Sequence, residues 1–262
     1  MHFIKAHACG NDFVIVFAGE APGEGDLPAL ARRICDRHRG IGADGLMIVR
    51  ETPAGAATHL LNADGSRSEI SGNGLRCVAA WVARERDLVP SAGVIIETDA
   101  GPKPLRLLDV SGRQYRFRAA MGPPEDLREA QIDAGGQRVT AVVLRVGNPQ
   151  CVVLGPATSE RLHTIAAALA VHPFFPAGTN VELAEIEAPS RVRILIWERG
   201  VGPTEASGTG ACAAAVAAAA YGGAQRAVEV VAPGGSQQVE WTDDGIWLTG
   251  WAEIIATGDW PE

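Results

Sequence analysis

Short apolar runs, separated by turns rich in glycine, proline and asparagine, dominate the chain and predict a strand-rich protein. Runs of this kind lie at 13–17, 46–49 and 151–154. Two stretches differ, because residues 73–86 and 209–221 are apolar over several consecutive turns and each follows a Gly-x-Gly turn. A helix that is apolar on most of its surface is normally buried. The pattern therefore predicts two strand-rich halves, each with one long buried helix.

The turns that open the two helices are nearly identical. Ser71-Gly72-Asn73-Gly74 and Ser207-Gly208-Thr209-Gly210 lie 136 residues apart. Three further pairs of landmarks keep the same spacing to within one residue: Asn11 with Asn148, Gly42-Ala43-Asp44 with Gly178-Thr179-Asn180, and Asn62 with Glu198. A common spacing indicates an internal duplication, whereas turns that recur at random would not share it. We therefore expect two lobes, 1–118 joined by the terminal strand 249–262, and 119–248.

The amino-acid composition argues against several kinds of binding partner. The chain has 262 residues, of which 47% are hydrophobic, and a net charge of −8, which is typical of a globular protein and argues against a nucleic-acid-binding surface. No segment approaches the roughly 20 apolar residues of a membrane span, and the N-terminus lacks the apolar core of a signal peptide. The five cysteines are widely spaced, without a CxxC pair or histidine cluster. We expect reduced thiols in a cytoplasmic protein and no metal site.

The loops related by the repeat carry amide, hydroxyl and charged side chains. A helix start offers unpaired amide donors and the positive end of the helix dipole, so it binds carboxylates. Arg199 can bind a second carboxylate with both arms of its guanidinium, and Glu198 can bind an ammonium group. We therefore expect a small zwitterionic ligand. The candidate residues are Asn11, Asn62, Ser71, Gly72, Asn73, Asn148, Asn180, Glu198, Arg199, Ser207, Gly208 and Thr209.

Like groups on opposite sides of a ligand suit inversion of a stereocentre. One group removes the α-proton, the other returns a proton to the opposite face, and amide donors stabilise the carbanion-like state. Cysteine at a helix start fits this chemistry, because its pKa of about 8.5 falls there. Serine does not, because a hydroxyl is a weak base unless another group activates it. Cys77 and Cys212 lie within the predicted helices and are expected to be packing residues.

The residues resemble the diaminopimelate epimerase family over nearly the whole chain. The motifs that carry the resemblance are Gly10-Asn-Asp-Phe13, Asp36-Arg-His38, Gly40-Ile-Gly-Ala-Asp-Gly45, Asn62-Ala-Asp-Gly-Ser66, Gly72-Asn-Gly74, Gly147-Asn-Pro149, Gly178-Thr-Asn-Val181, Glu198-Arg-Gly-Val-Gly202 and Gly208-Thr-Gly-Ala-Cys212. The resemblance implies an α+β fold of two pseudo-symmetric lobes, each a curved, mostly antiparallel sheet around a central helix. It implies a cofactor-independent epimerase that converts L,L-diaminopimelate to the meso form for lysine and peptidoglycan synthesis, and a possible homodimer.

The resemblance also assigns roles and shows departures. Its substrate-binding positions match Asn11, Asn62, Asn148, Asn180, Glu198 and Arg199, and its carboxylate-holding helix starts match Gly72, Asn73, Gly208 and Thr209. Family members use one catalytic cysteine from each lobe, and here Ser71 and Ser207 occupy both positions. Gln150 stands where the family usually has histidine.

Three explanations of the two serines remain open. Both cysteines could have been replaced deliberately to trap a substrate complex. The chain could be a natural homologue that has lost epimerisation and binds a related amino acid, or isomerises it differently. The serines could be active with help from Glu69 or Glu205, each two residues upstream. A further functional class, an acid-dependent isomerase or dehydratase, would need a carboxylate in the site, for which Glu69, Glu205 and Asp44 are candidates.

Overall fold

A computed structural model describes residues 1–68, 71–99 and 101–261. The chain divides into two compact units. Unit 1 comprises Met1–Ala119 and Gly250–Glu262, and unit 2 comprises Ala120–Thr249. No helix in the described part of the chain is both long and apolar enough to cross a bilayer.

Unit 1 is built from strands wrapped around one buried helix. Its helices are α1 (Leu27–Ile34), preceded by a 3₁₀ turn (Glu24–Asp26), and α2 (Gly72–Glu85). Its strands are β1 (His2–Ala8), β2 (Asn11–Phe17), β3 (Gly45–Thr52), β4 (Gly55–Asn62), β5 (Arg67–Ser68), β6 (Gly93–Thr98), β7 (Gly101–Ser111), most of β8 (Gln114–Gly122) and the end of β17 (Gly245–Asp259).

Unit 2 follows the same plan. Its helical segments are α3 (Ser159–Arg161), a π-helical turn (Leu162–Ala166), α4 (Ala167–Ala170) and α5 (Gly208–Tyr221). Its strands are β9 (Glu125–Ala134), β10 (Gln137–Val146), β11 (Asn148–Leu154), β12 (Asn180–Ala188), β13 (Arg191–Glu198), β14 (Gly202–Thr204), β15 (Ala227–Ala232), β16 (Gly235–Thr242) and the first part of β17.

The strand pairings of the two units correspond one to one. In unit 1 the parallel pairs are β2–β3 and β4–β6, and in unit 2 they are β11–β12 and β13–β15. The antiparallel pairs β1–β2, β3–β4, β4–β5 and β6–β7 have their counterparts in β10–β11, β12–β13, β13–β14 and β15–β16. In unit 1, helix α2 is contacted by β1, β2, β4, β6 and β7. In unit 2, helix α5 is contacted by β10, β11, β12, β13, β15 and β16. The predicted α+β fold of two similar lobes, each with a mostly antiparallel sheet around a central helix, is confirmed.

The ladder registers correct one detail of the repeat. Phe13 lies opposite Gly45 in unit 1, and Gln150 lies opposite Asn180 in unit 2. Since β2 and β11 begin at positions 137 residues apart, β3 and β12 correspond with a spacing of 135. Asn180 therefore corresponds to Gly45, and the expected match with Asp44 is wrong by one residue. Loops absorb such single-residue differences, so a spacing taken from loop motifs does not fix a strand register.

Both central helices begin at the predicted turns. Ser71 and Ser207 precede α2 and α5 in extended conformations, and each Oγ accepts a hydrogen bond from the third helical amide at 3.1 Å. An N-cap of this kind satisfies one of the amides that a helix start leaves unpaired. Helix α5 is apolar on all sides, which allows strands of unit 2 to cover it. The core around the helix includes Val152, Ala184 and Ile196.

Candidate active site

The start of α2 presents amides and one buried polar side chain. Ser71 caps Gly74, so the amides of Gly72 and Asn73 occupy the first two helical positions, where the helix itself supplies no acceptor. The Asn73 side chain is buried and donates from Nδ2 to Asn11 Oδ1 at 3.2 Å. The structure thus brings Asn11 and Asn73, both predicted site residues, into direct contact within unit 1.

A buried arginine fixes this amide pair from behind. Arg76, one turn into α2, donates to Asn73 Oδ1 and, through Nε, to the Trp251 carbonyl at 3.3 Å. Gly250 leaves room for it, because a Cβ there would lie 3.0 Å from Arg76 Nε and Cζ. Arg76 therefore determines which way the Asn73 amide faces, and sequence reasoning had not identified it.

Asn11 is held from its other side by an ionic cluster. Its Nδ2 donates to Asp44 Oδ2 at 2.8 Å. Arg37 bridges Asp44 and Asp12 at 2.8 Å each, and Lys5 Nζ lies 2.5 Å from Asp12 Oδ2. Burial alone would raise the pKa of Asp12, but the hydrogen bonds from Arg37 and Lys5 outweigh it and lower the pKa to about 2. Asp44, a candidate acid of the site, is thus an ion-paired support for Asn11.

Asn62 ends β4 and is hydrogen-bonded within its own turn. Its Nδ2 donates to Ser66 Oγ at 2.9 Å, and its backbone amide donates to the Ser66 carbonyl at 2.8 Å. It corresponds in the repeat to Glu198, which ends β13 and pairs with Gly202 of β14. These two positions occupy equivalent strand ends in the two units.

In unit 2, Asn180 and Arg199 are brought together. Asn180 Oδ1 accepts from the Arg199 backbone amide at 2.9 Å, and Arg199 donates from its guanidinium to the Ala177 carbonyl at 3.0 Å. Gly178 has φ +71°, and a Cβ there would lie 3.0 Å from Arg199 Cδ. Glycine at 178 is therefore required both by backbone conformation and by the path of the arginine side chain. The guanidinium remains exposed and able to meet a carboxylate.

The start of α5 differs from that of α2 in what lies around it. Ser207 Oγ lies 3.5 Å from Thr209 Oγ1 and accepts the Gly210 amide hydrogen bond. Among the described residues these partners are amide and hydroxyl groups, not a carboxylate or an imidazole. Of the two upstream acids proposed as local bases, Glu205 is exposed to solvent, and Glu69 lies outside the described residues.

A buried polar cluster lies beneath that helix start. Gln150 and Glu182 are both fully buried. One amide atom of Gln150 lies 3.0 and 3.3 Å from the two carboxyl oxygens of Glu182, and the other lies 2.5 Å from Asn148 Oδ1 and 3.1 Å from Thr209 Oγ1. Burial, and secondarily the charge of Glu198, raises the pKa of Glu182 well above its usual value. Through Gln150 the structure links Asn148 with Thr209, two predicted site residues.

The sequence pattern around Glu182 does not indicate that its side chain is buried. In the run Val181-Glu182-Leu183 it alternates with apolar neighbours, which is the pattern of a strand with one face in water. Strand β12 is instead covered on both faces. Val181 and Leu183 pack into the core beneath the π-helical turn and α4, and Ala184 packs into the core around α5. Its position between β11 and β13, in the interior of the sheet, is the signal that identifies the glutamate as buried.

The cysteines in the helices are buried free thiols, as the sequence predicted. Burial raises the pKa of Cys77 to about 12, so it is a poor nucleophile and base at neutral pH. Across residues 1–68, 71–99 and 101–261, no group of three or more His, Cys, Asp or Glu side chains is placed to hold a metal ion.

Comparison with known proteins gives a consistent result. The sequence model of the family described as diaminopimelate epimerase matches residues 3–126 and 142–255. A diaminopimelate epimerase of Desulforudis audaxviator is 43% identical, with 99% of each chain covered. One from Moorella thermoacetica is 40% identical, covering 100% of this chain and 99% of its own.

Solved structures share the fold at low identity. A predicted epimerase from Pseudomonas aeruginosa has a TM-score of 0.78 at 15% identity, covering 99% of this chain and 98% of its own. A probable proline racemase from Agrobacterium radiobacter K84, with bound carbonate, has a TM-score of 0.74 at 19% identity, covering 99% and 92%. At such identities the likeness extends to the fold alone.

Proposed function

Because the chain belongs to the diaminopimelate epimerase family, we propose that it is a cofactor-independent epimerase that inverts the α-carbon of diaminopimelate or a close relative. The observation that carries the proposal is the pair of serine-capped helix starts, α2 and α5, which have the same cap geometry and open the same element of each unit. Ser71 and Ser207 stand at the positions of the two proton-transfer groups.

The helix starts supply the groups that such a reaction needs most. Removing an α-proton places negative charge on the α-carbon and its carboxylate. Preorganised amide donors at that carboxylate stabilise the charge as it develops. Gly72 and Asn73 in α2, and Gly208 and Thr209 in α5, provide these amides at the positive ends of 14-residue helices.

The remaining residues of the proposed site suit a ligand with charges at both ends. Arg199 presents an exposed guanidinium on a backbone that Asn180 fixes, and it would bind the distal carboxylate. Glu198 would bind an ammonium group. Asn11, Asn62 and Asn148 offer amide groups that both donate and accept, which suits an amino acid's ammonium and carboxylate together.

The serines set the rate that the proposal predicts. In each direction one serine must carry negative charge while the other carries the proton. The hydrogen bonds from the Gly74 and Gly210 amides stabilise a charged oxygen as they would a thiolate. They do not supply a base, so exchange should be measurable but slow.

A second candidate is a homologue that binds diaminopimelate without epimerising it. It is favoured by the surroundings of both hydroxyls, whose described partners are amide and hydroxyl groups alone. This candidate predicts a ligand-induced rise in melting temperature with no exchange of the α-proton.

The deciding experiment incubates the protein with L,L- and meso-diaminopimelate in deuterated water and follows loss of the α-proton signal. The proposal expects exchange in the natural protein and an increase of about 100-fold or more in the Ser71→Cys/Ser207→Cys variant, which has an acid–base group of suitable pKa. Ser111→Cys/Ser190→Cys, at two exposed serines, is the control and should change nothing. Binding with no exchange in the natural protein would establish the second candidate, whether or not the cysteine variant exchanges the proton.

The proposal extends to the cellular compartment of the protein and to its oligomeric state. The five free, buried cysteines support a reducing compartment, so we place the protein in the cytoplasm. We also propose a homodimer, which sedimentation at equilibrium would test.

A further inference from the structure

The described part of the chain has one carboxyl group that is fully buried, and the reaction proposed above does not use it. Glu182 lies on β12 beneath the first turn of α5. A carboxyl placed in a core is costly unless its charge and its hydrogen bonds are satisfied. Its presence at this point therefore calls for a functional account.

The duplication provides an internal reference. A Cβ on Gly74 of α2 would lie 2.9 Å from Met47 Sδ, and a Cβ on Gly210 of α5 would lie 2.5 Å from Glu182 Oε1. With the registers given above, Met47 and Glu182 occupy equivalent positions. Unit 1 thus shows that the fold accepts an apolar residue beneath the helix start, so the carboxyl in unit 2 is not required for packing.

A second position beneath the helix start is also apolar in unit 1 and polar in unit 2. Phe13 packs near Gly74 in unit 1, with Cζ at 3.4 Å from the position of a Cβ there. Its equivalent in unit 2 is Gln150. Two apolar residues in one unit are thus two hydrogen-bonding residues in the other, and those two contact each other.

We propose that Glu182 is a positioning residue that remains a neutral carboxylic acid and, through Gln150, turns the Thr209 hydroxyl towards Ser207. This inference rests on the proposed function, because it gives Ser207 a role in moving a proton.

The Gln150 amide has two possible orientations, and each requires a different protonation state of Glu182. If Glu182 is neutral, its hydroxyl donates to the Gln150 oxygen. The Gln150 nitrogen then donates to Asn148 Oδ1 at 2.5 Å and to Thr209 Oγ1 at 3.1 Å. Because Thr209 Oγ1 accepts in this arrangement, its own proton is available to Ser207 Oγ, 3.5 Å away.

If Glu182 is ionised, donor and acceptor change places in the hydrogen bonds that Gln150 forms with Glu182 and Thr209. The Gln150 nitrogen must donate to the carboxylate, and its oxygen accepts the Thr209 proton, which is then unavailable to Ser207. The same oxygen would face Asn148 Oδ1 at 2.5 Å unless that amide also turned over. One protonation state thus decides whether Thr209 donates to Ser207.

The groups around Glu182 favour the neutral form. Glu198 on β13 bears a like charge, and Cys151 on β11 is a buried thiol, whose pKa is raised by burial, so it offers no positive charge to balance a carboxylate. The start of α5 favours a carboxylate through its dipole, but full burial outweighs that effect, and the pKa of Glu182 is raised accordingly. A neutral acid also avoids repelling the anion that the helix start would bind.

The consequence concerns the charge on Ser207. When the Ser207 O–H bond breaks and the proton goes to the α-carbon, the oxygen is left negative, and the Thr209 hydroxyl can donate to it. When Ser207 accepts the α-proton, the same donor is released. Glu182 keeps its proton throughout, so it is not itself an acid or base in the reaction.

Infrared spectroscopy tests the protonation state without any need for activity. At pH 7 a protonated-carboxyl C=O band from Glu182 should be present in the natural protein and absent in Glu182→Gln. The exposed Glu129→Gln is the matched control and should retain the band. A natural protein with no such band at pH 7 would overturn the proposal, whatever its activity.

Kinetics test the positioning role. The exchange rate is measured in the natural protein and in the Ser71→Cys/Ser207→Cys background. Glu182→Met, the residue of unit 1, should lower kcat about 10- to 100-fold, as loss of a hydrogen bond to a charged group does, with KM within about twofold. Glu182→Gln, which can still donate to Gln150, should recover most of that loss. A folded Glu182→Met with unchanged kcat would contradict the inference. Absence of exchange in both backgrounds would instead remove the proposed function and leave the infrared result to stand.

Discussion

Replacing Asp12 with asparagine should destabilise unit 1 by an amount that depends on pH. Asp12 is largely buried, and Lys5 and Arg37 both contact its carboxylate. Its amide and carboxylate also pair with Asp44, which holds Asn11. Asparagine keeps the shape of the side chain but removes the charge that offsets that of Lys5, which is also largely buried.

The magnitude follows from the change in pKa. The pKa of Asp12 falls from 3.8 to about 2 on folding, and one pKa unit corresponds to about 1.4 kcal/mol, so the charge contributes about 2 kcal/mol at pH 7. Because the folded pKa is the lower one, this contribution is present above pH 3.8 and is lost as pH falls through about 2. At pH 3 about half of it should remain.

Urea unfolding of the natural protein and of Asp12→Asn, at pH 7 and at pH 3, measures this difference from the midpoints at constant m-value. The control is Asp243→Asn, which removes a solvent-exposed partner of Arg226 and should have no measurable effect. A loss for Asp12→Asn that is the same at both pH values would refute the assignment of the stabilisation to the ionised carboxylate.

Three further predictions follow from the helix starts. Gly210→Ala should destabilise the protein by about 1–3 kcal/mol, because the new Cβ would lie 2.5 Å from Glu182 Oε1, whereas Gly74→Ala meets the flexible end of Met47 and should cost less in the same thermal-unfolding assay. Since the pKa of Glu182 is raised, the natural protein should lose stability as pH rises from 4.5 to the folded pKa, and Glu182→Gln should remove that slope in urea titrations. Iodoacetamide should leave Cys77 unmodified in the folded protein, and mass spectrometry finding rapid labelling there would contradict its raised pKa.

Much of the fold could be predicted because its determinants are local. The helices predicted at 73–86 and 209–221 are observed at Gly72–Glu85 and Gly208–Tyr221. A hydroxyl residue before a Gly-x-Gly turn and an apolar run specifies a capped, buried helix without reference to the rest of the chain. The duplication was detectable for the same reason, since its landmarks are turns with strict backbone requirements.

The supports of the candidate site could not be predicted, because they depend on contacts distant in sequence. An arginine on a helix is normally exposed to solvent. Arg76 can be buried because Gly250 has no side chain that would meet its guanidinium. Asp12 is recognisable as structural only once Lys5 and Arg37 are seen beside it. The roles of the site residues in binding and proton transfer remain predictions, and the experiments above address them.

We expect the two serine-capped helix starts to exchange the α-proton of a diaminopimelate-type amino acid. Proton NMR of meso-diaminopimelate in deuterated water, with the natural protein at high concentration, tests it most directly. The α-proton signal should be lost slowly with the natural protein, and at least about 100-fold faster with the Ser71→Cys/Ser207→Cys variant. An α-proton signal that stays constant with the folded natural protein would contradict it, even if the cysteine variant exchanges the proton.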